Sequence, residues 1–209
     1  MPRPSMSTPE LDAIRRRLLE ITGAIIAVDG YDAFSMRRLG KDAGMSASAL
    51  YRYFPARRNV LVAYWSDALG ELTRRGDAVS RDNADPIAKL KAMLLAYADF
   101  AIEDRDRFRV LFIENDKGQF ADLVALDAAV RPYRLFIETV GAAIEARQIR
   151  PLPEAVAAQI LWGAVHGVLT LAATVSEIDF GNVRDLAVIA ADTALRGLSA
   201  GEQEAPDAA

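Results

Sequence analysis

Apolar residues in this chain recur at steps of three and four almost throughout, beginning with Leu11, Ile14, Leu18, Ile21, Ile25 and Val28. That spacing follows a helical turn of about 3.6 residues, and the two-residue alternation of a half-buried strand is scarce. A chain patterned this way buries its apolar surface by packing helix on helix. An all-α fold is therefore expected.

Helix punctuation divides the chain. Thr8 can cap a first helix with Pro9 at its first position, and Gly30 can end it. Two short helices follow at 35–43 and 46–53, then a longer one over about 57–75. The polar stretch 76–85 has no apolar period and reads as a linker. Asp85-Pro86 opens a new helix. Further helices are expected at about 86–103, 105–115, 120–147, 153–176 and 183–198. The tail 201–209, small and polar, reads as disordered.

The segment 35–54 carries the strongest local signal. Ser35 can cap one short helix, Gly44 can supply the positive φ that ends it, and Ser46 can cap the next after a tight turn. This is the layout of a DNA-binding helix-turn-helix. Met36, Leu39, Ala43, Leu50 and Phe54 suit burial beneath it. Ala47, Ser48, Tyr51 and Arg52 then share an outward face. The two small residues let the helix backbone sink into a major groove, and the two long ones carry donors for phosphates or base edges.

Charge supports the same reading. The net charge is −4, yet residues 1–60 hold ten cations against six anions, a local balance of +4. The rest of the chain therefore carries −8. A basic head on an acidic body has the sign a phosphate-binding module needs. Arg57 and Arg58 open a helix, where the backbone dipole disfavours cations, and Ala56 offers no cap. A docked phosphate would offset that cost.

These fragments resemble the TetR (tetracycline-repressor-like) transcriptional regulators. Ser35-Met-Arg-Arg-Leu, Ala43-Gly-Met-Ser46, Ala49-Leu-Tyr-Arg-Tyr-Phe54 and Arg57-Arg-Asn-Val-Leu61 stand in that family's order and spacing. The resemblance implies a three-helix DNA-binding domain at 1–56. A connecting helix then leads into a larger ligand-binding and dimerisation domain at 57–200. It implies DNA contacts from Arg37, Ala47, Ser48, Ala49, Tyr51, Tyr53 and Arg57, and the residues' own placement adds Ser46, Arg52 and Arg58. Arg57 stands where the family usually has a phosphate-binding lysine. Ala49, Ala56 and Arg58 depart from the family's usual residues. Leu161-Trp-Gly-Ala-Val-His-Gly167 looks like the tryptophan–histidine–glycine signature of one subgroup.

Two expectations concern the body. Trp65, Tyr97, Phe100, Phe108, Phe112, Tyr133, Trp162 and His166 are candidates to hold a small apolar effector, with plain core packing as the alternative for each. Residues 155–176 carry no charge over a membrane-spanning length, but Gln159, His166, Thr170 and Thr174 form a polar stripe. A helix buried on most sides, against its own core and against a second copy of itself, is expected here. The pairing surface would take Ile160, Gly163, Ala164, Gly167, Leu171, Leu186 and Ile189.

One histidine and no cysteine leave no Cys–His dyad or zinc cluster, and no Walker loop, GxGxxG or GxSxG occurs. A regulator without catalytic activity, metal or cofactor is expected. It would be cytoplasmic, nucleoid-associated when bound to operator DNA, homodimeric and without membrane attachment, since residues 1–10 lack a signal peptide's apolar run. Its function would be repression from a palindromic operator, relieved by ligand. The alternative is a helical protein–protein interaction module.

Overall fold

The computed structural model describes residues 8–113 and 127–200. Those residues are helical apart from connections and one isolated bridge between Ile149 and Ser199. They form two compact units, 8–68 with 106–113, and 69–105 with 127–200.

The first unit begins with helix α1 (Thr8–Asp29). It buries Leu18, Thr22, Ile25 and Ile26. The expected stripe extended to Val28, but that residue is 81% exposed. At about 100° per residue, Val28 lies about 110° from the middle of the buried arc, which Ile26 shares instead. Gly30, with φ 83°, ends the helix, and its N–H donates to the Ile26 carbonyl at 3.0 Å. A 3₁₀ turn at Tyr31–Ala33 then leads into α2 (Met36–Asp42).

α2 and α3 (Ala47–Tyr51) form around the expected local signals. Ser35 Oγ accepts from the Arg38 amide, and Ser46 Oγ accepts from that of Ala49. Gly44 turns the chain with φ 64°. Gly40 has a second role: a Cβ there would sit 3.2 Å from the Met45 carbonyl oxygen, so a side chain would force the turn to give by a few tenths of an ångström. Leu39, Leu50 and Phe54 are buried, while Met36 and Ala43 are partly so.

Helix α4 (Arg57–Asp82) buries Val60, Leu61, Tyr64, Trp65 and Ala68 in the first unit. Its N-terminal part meets α1 closely, because a Cβ on Gly23 would lie 3.2 Å from the Tyr64 ring. α6 (Arg105–Phe112) adds Phe108, Val110 and Leu111 to this core. Arg107 pairs with Asp67 at 3.3 Å and lies over the Tyr64 ring.

Residues 76–82, expected in a linker, continue α4. Apolar spacing could not reveal this, because ion pairs and a glycine hold that end in the second unit. Asp77 pairs with Arg131 at 3.0 Å, and a Cβ on buried Gly76 would meet Leu135 at 3.6 Å. Asn83 closes the helix by donating to the Val79 carbonyl.

The second unit is built around α5 (Pro86–Glu103), capped by Asp85 and buried along Leu90, Met93, Leu94, Ala98, Phe100 and Ala101. It packs against α7 (Asp127–Glu145), α8 (Glu154–Thr174) and α9 (Val183–Leu198). Positions 114–115 and 120–126 of the expected helices lie outside the described residues. Lys91–Asp192 at 2.7 Å and Arg184–Asp99 at 2.6 Å tie α5 to α9 at the surface. Such exposed pairs stabilise by at most about 1 kcal/mol each, so apolar burial holds the unit together.

Truncating Leu50, 1% exposed, to Ala should cost about 2–5 kcal/mol by lost burial and a residual cavity. Val28→Ala should stay within about 0.5 kcal/mol. Equilibrium denaturation of the two variants checks the contrast, and equal effects would contradict the buried arc described for this unit.

Candidate nucleic-acid interface

The outward surface of the first unit follows from what its helices bury. With Leu50 and Phe54 turned into the core, Ala47, Ser48, Tyr51 and Arg52 are left exposed on and just beyond α3. Tyr51 is 49% exposed, whereas Tyr53, expected among the DNA contacts, is 6% exposed and belongs to the core. Ala49 is half-buried. Ser46 combines exposure with its capping role, and its hydroxyl lies 3.2 Å from that of Ser48.

The cations of this unit divide by environment. Arg15 donates to the Tyr53 carbonyl at 3.2 Å and lies over the Phe54 ring, tying α1 to the end of α3. Arg38 pairs with Asp42 at 2.6 Å and Asp29 at 2.9 Å, and the Asp42 hydrogen bond raises its pKa further. Arg57 donates from Nε to the Phe34 carbonyl at 3.1 Å. Arg37, Lys41, Arg52 and Arg58 are exposed.

Ala33, Ser35, Arg37, Arg38 and Lys41 line a depression of about 360 Å³. Only Arg37 of these was expected at the interface. The i, i+4 spacing of Arg37 and Lys41 is the sequence signal that places two cations on one side of α2. The depression presents positive charge and a hydroxyl, which suits a phosphate oxygen.

The candidate effector residues fall in both units. In the first, Trp65 and Phe108 are buried, and Phe108 packs on Phe112 with ring centres 5.4 Å apart. The Trp65 Nε1 is buried without a hydrogen-bond partner among the described residues. In the second, Trp162 has Tyr133 at 5.9 Å, His166 at 5.4 Å and Tyr97 at 6.3 Å. Phe100 is separate from this chain of rings and lies beneath Arg75. The Tyr97 hydroxyl is 2.7 Å from His166 Nδ1, and Thr170 Oγ1 is 3.3 Å from Nε2. A phenol donating to Nδ1, with the imidazole proton on Nε2, satisfies both contacts. Burial pushes the Tyr97 phenol up and the His166 imidazole down, so both groups favour their neutral forms.

The candidate pairing residues lie on two helices that pack on each other. α8 turns Ala157, Ala158, Leu161, Val165 and Leu169 inward. It leaves Ile160 43% and Leu171 51% exposed, while Ile189 on α9 is 59% exposed. Gly163 and Gly167 face open space, with Ala164 and Leu186 half-buried. Within one chain α8 is buried on the side of its own core and open on the side expected to meet a second copy. By length and composition it could cross a membrane.

Two family models match the chain. Bacterial regulatory proteins of the tetR family match residues 18–64, and the tetracyclin repressor-like C-terminal domain matches 90–195. The chain is 31% identical over 80 residues to the HTH-type transcriptional repressor KstR of Mycobacterium tuberculosis (strain ATCC 25618 / H37Rv), covering 38% of this chain and 36% of KstR. The match thus spans little more than a third of that relative's length. A protein of unknown function from Rhodococcus sp. RHA1 has a similar structure, with TM-score 0.77, 27% identity, and coverage of 95% of this chain and 99% of that one. PfmR from Thermus thermophilus, a TetR family transcriptional regulator, shares the fold at TM-score 0.66 and 22% identity, over 88% of this chain and 99% of that one.

The desolvated His166 has a pH signature. Its folded pKa lies below the ordinary 6.5, so its contribution is fully present above that value. As pH falls through 6.5 the unfolded chain binds the proton first, and stability drops until the folded pKa is reached. Denaturant melts between about pH 7.5 and 5 should therefore show a steeper loss for the wild type than for His166→Gln. Parallel curves would count against a desolvated imidazole.

Proposed function

The chain belongs to the tetR family of bacterial regulatory proteins, and on that basis we propose that it is a dimeric transcriptional repressor released from operator DNA by a small apolar ligand. The observation that carries this reading is the division of α3 and the residues just after it. Leu50 and Phe54 anchor the segment, while Ala47, Ser48, Tyr51 and Arg52 face outward on a basic unit. Small residues permit close approach to base edges, and the long polar ones reach bases or phosphates. Arg37 and Lys41 beside α2 extend the cationic surface. A protein–protein interaction module would need no such combination of small residues and cations.

Homodimerisation uses the open apolar face of α8 and α9. Ile160, Gly163, Gly167 and Leu171 on α8, with Leu186 and Ile189 on α9, offer a surface that water solvates poorly and a second copy can cover. The glycines allow the backbones of two α8 helices to approach closely. Pairing in this way supports a soluble, cytoplasmic protein over a membrane-spanning one. It also presents two α3 helices to a palindrome whose half-sites lie roughly 34–36 Å apart or a multiple of that.

The effector reading rests on Tyr97, Tyr133, Trp162 and His166 in the second unit. The last two, with Gly167, also form the tryptophan–histidine–glycine subgroup motif. A planar apolar molecule can replace ring–ring contacts there and compete for the Tyr97–His166 hydrogen bond. α4 belongs to both units. A ligand that prefers one arrangement of the second unit therefore biases α4, and with it the spacing of the two α3 helices, by the difference in its affinities.

Selection from a random duplex pool should enrich a palindrome. Ile160→Glu combined with Leu171→Glu should convert the dimer to a monomer in light scattering and weaken palindrome binding by at least ~100-fold, since each half-site then binds alone. A wild-type chain that stays monomeric at micromolar concentration and enriches no palindrome would overturn the proposal.

A further inference from the structure

We propose that Arg57 is a positioning residue that fixes the start of the helix-turn-helix from inside the protein, and that it is not a phosphate ligand. This inference rests on the reading that the first unit binds DNA. The guanidinium reaches back to the connection between α1 and α2. Nε donates to the Phe34 carbonyl at 3.1 Å, and Nη2 makes a longer contact of 3.5 Å to the Tyr31 carbonyl. Its central carbon lies 5.0 Å from the centre of the Tyr31 ring and 5.6 Å from that of Phe34. Both rings are themselves buried.

The residues held in this way bracket the 3₁₀ turn at Tyr31–Ala33, and Ser35, the cap of α2, follows directly. Where that turn sits decides where α2 begins. α2 in turn carries the Gly40–Met45 closure that places α3. Arg57 thus links the first turn of α4 to the entry of α2 across 23 residues of sequence. The carbonyl dipoles and ring faces also account for a cation at a helix N-terminus, where the helix dipole alone disfavours one.

The chemistry needs arginine in particular. A planar fork can donate to a carbonyl while its face lies on aromatic rings, whereas an ammonium is a compact, strongly hydrated point charge. A phosphate accepts either cation. Lysine at position 57 therefore separates the two roles, and exposed Arg58 provides the comparison for a cation that neutralises phosphate.

The experiment uses the full chain as wild type, R57K, R57A and R58A. Amide exchange is followed at Ala33, Phe34 and Leu39, and affinity for the selected duplex is measured across a salt series. Both Arg57 variants should speed exchange and weaken binding by roughly tenfold or more, as expected for loss of a charged hydrogen bond. Their log–log salt slope should match the wild type, while R58A should lower the slope by about one. R57K is the decisive variant, because it keeps the charge and most of the stem. Wild-type exchange and affinity in R57K, or a slope reduced by about one in R57A with unchanged exchange, would overturn the positioning role. A wild-type chain that selects no duplex would remove the DNA-binding reading alone; the exchange arm would still decide whether Arg57 fixes the start of α2.

Discussion

A helix of five residues does not hold itself together in water, because nucleation fixes several torsions for one hydrogen bond. The length of α3 therefore makes everything at the candidate DNA surface depend on anchorage from below. Leu50 and Phe54 provide the apolar part, Ser46 satisfies one free amide, and Arg15 binds the carbonyl of Tyr53 just beyond the helix. The outward face is small and polar because the inward face has taken the task of stability. Stability and the proposed DNA contact are thus divided between opposite sides of one short segment.

What the sequence could tell follows the range of the interactions involved. Ser35, Gly44 and Ser46 act within three residues of themselves, and their roles were legible. The exposure of Ala47, Ser48, Tyr51 and Arg52 was legible from residue type and period together, since Phe54 lies within about 20° of Ala47 by period yet is buried. Arg57 was not legible, because its partners lie 23 and 26 residues away. Its basic character suggested phosphate equally well. The continuation of α4 through 76–82 was missed for a similar reason: Asp77 and Gly76 are held by partners far along the chain. Tyr51 and Tyr53 are alike in type, but two residues of helix are about 200° of rotation, which sets one outward and the other in the core.

In the second unit, the residues the sequence suggested for an effector fall into different surroundings. The rings of Tyr97, Tyr133, Trp162 and His166 meet, although they come from three helices. Phe100, on the same helix as Tyr97, lies elsewhere beneath Arg75. Three residues along a helix are only about 60° of rotation apart, so even side chains that share a face can enter different surroundings. Composition can suggest an apolar site, while the rotation of each helix decides its membership.

The uncharged run from Ala155 to Thr174 on α8 bears on partner choice at the pairing surface proposed above. A surface without ionic groups cannot reject a related chain by like-charge repulsion. Discrimination along this helix falls to shape, through the hollows at Gly163 and Gly167 and the projecting Ile160 and Leu171. Charge can contribute only from its margins, at Glu154 and Glu177, or from α9. On the pairing surface proposed above, steric mismatch along α8 would be what keeps such a chain from forming mixed pairs with its kin.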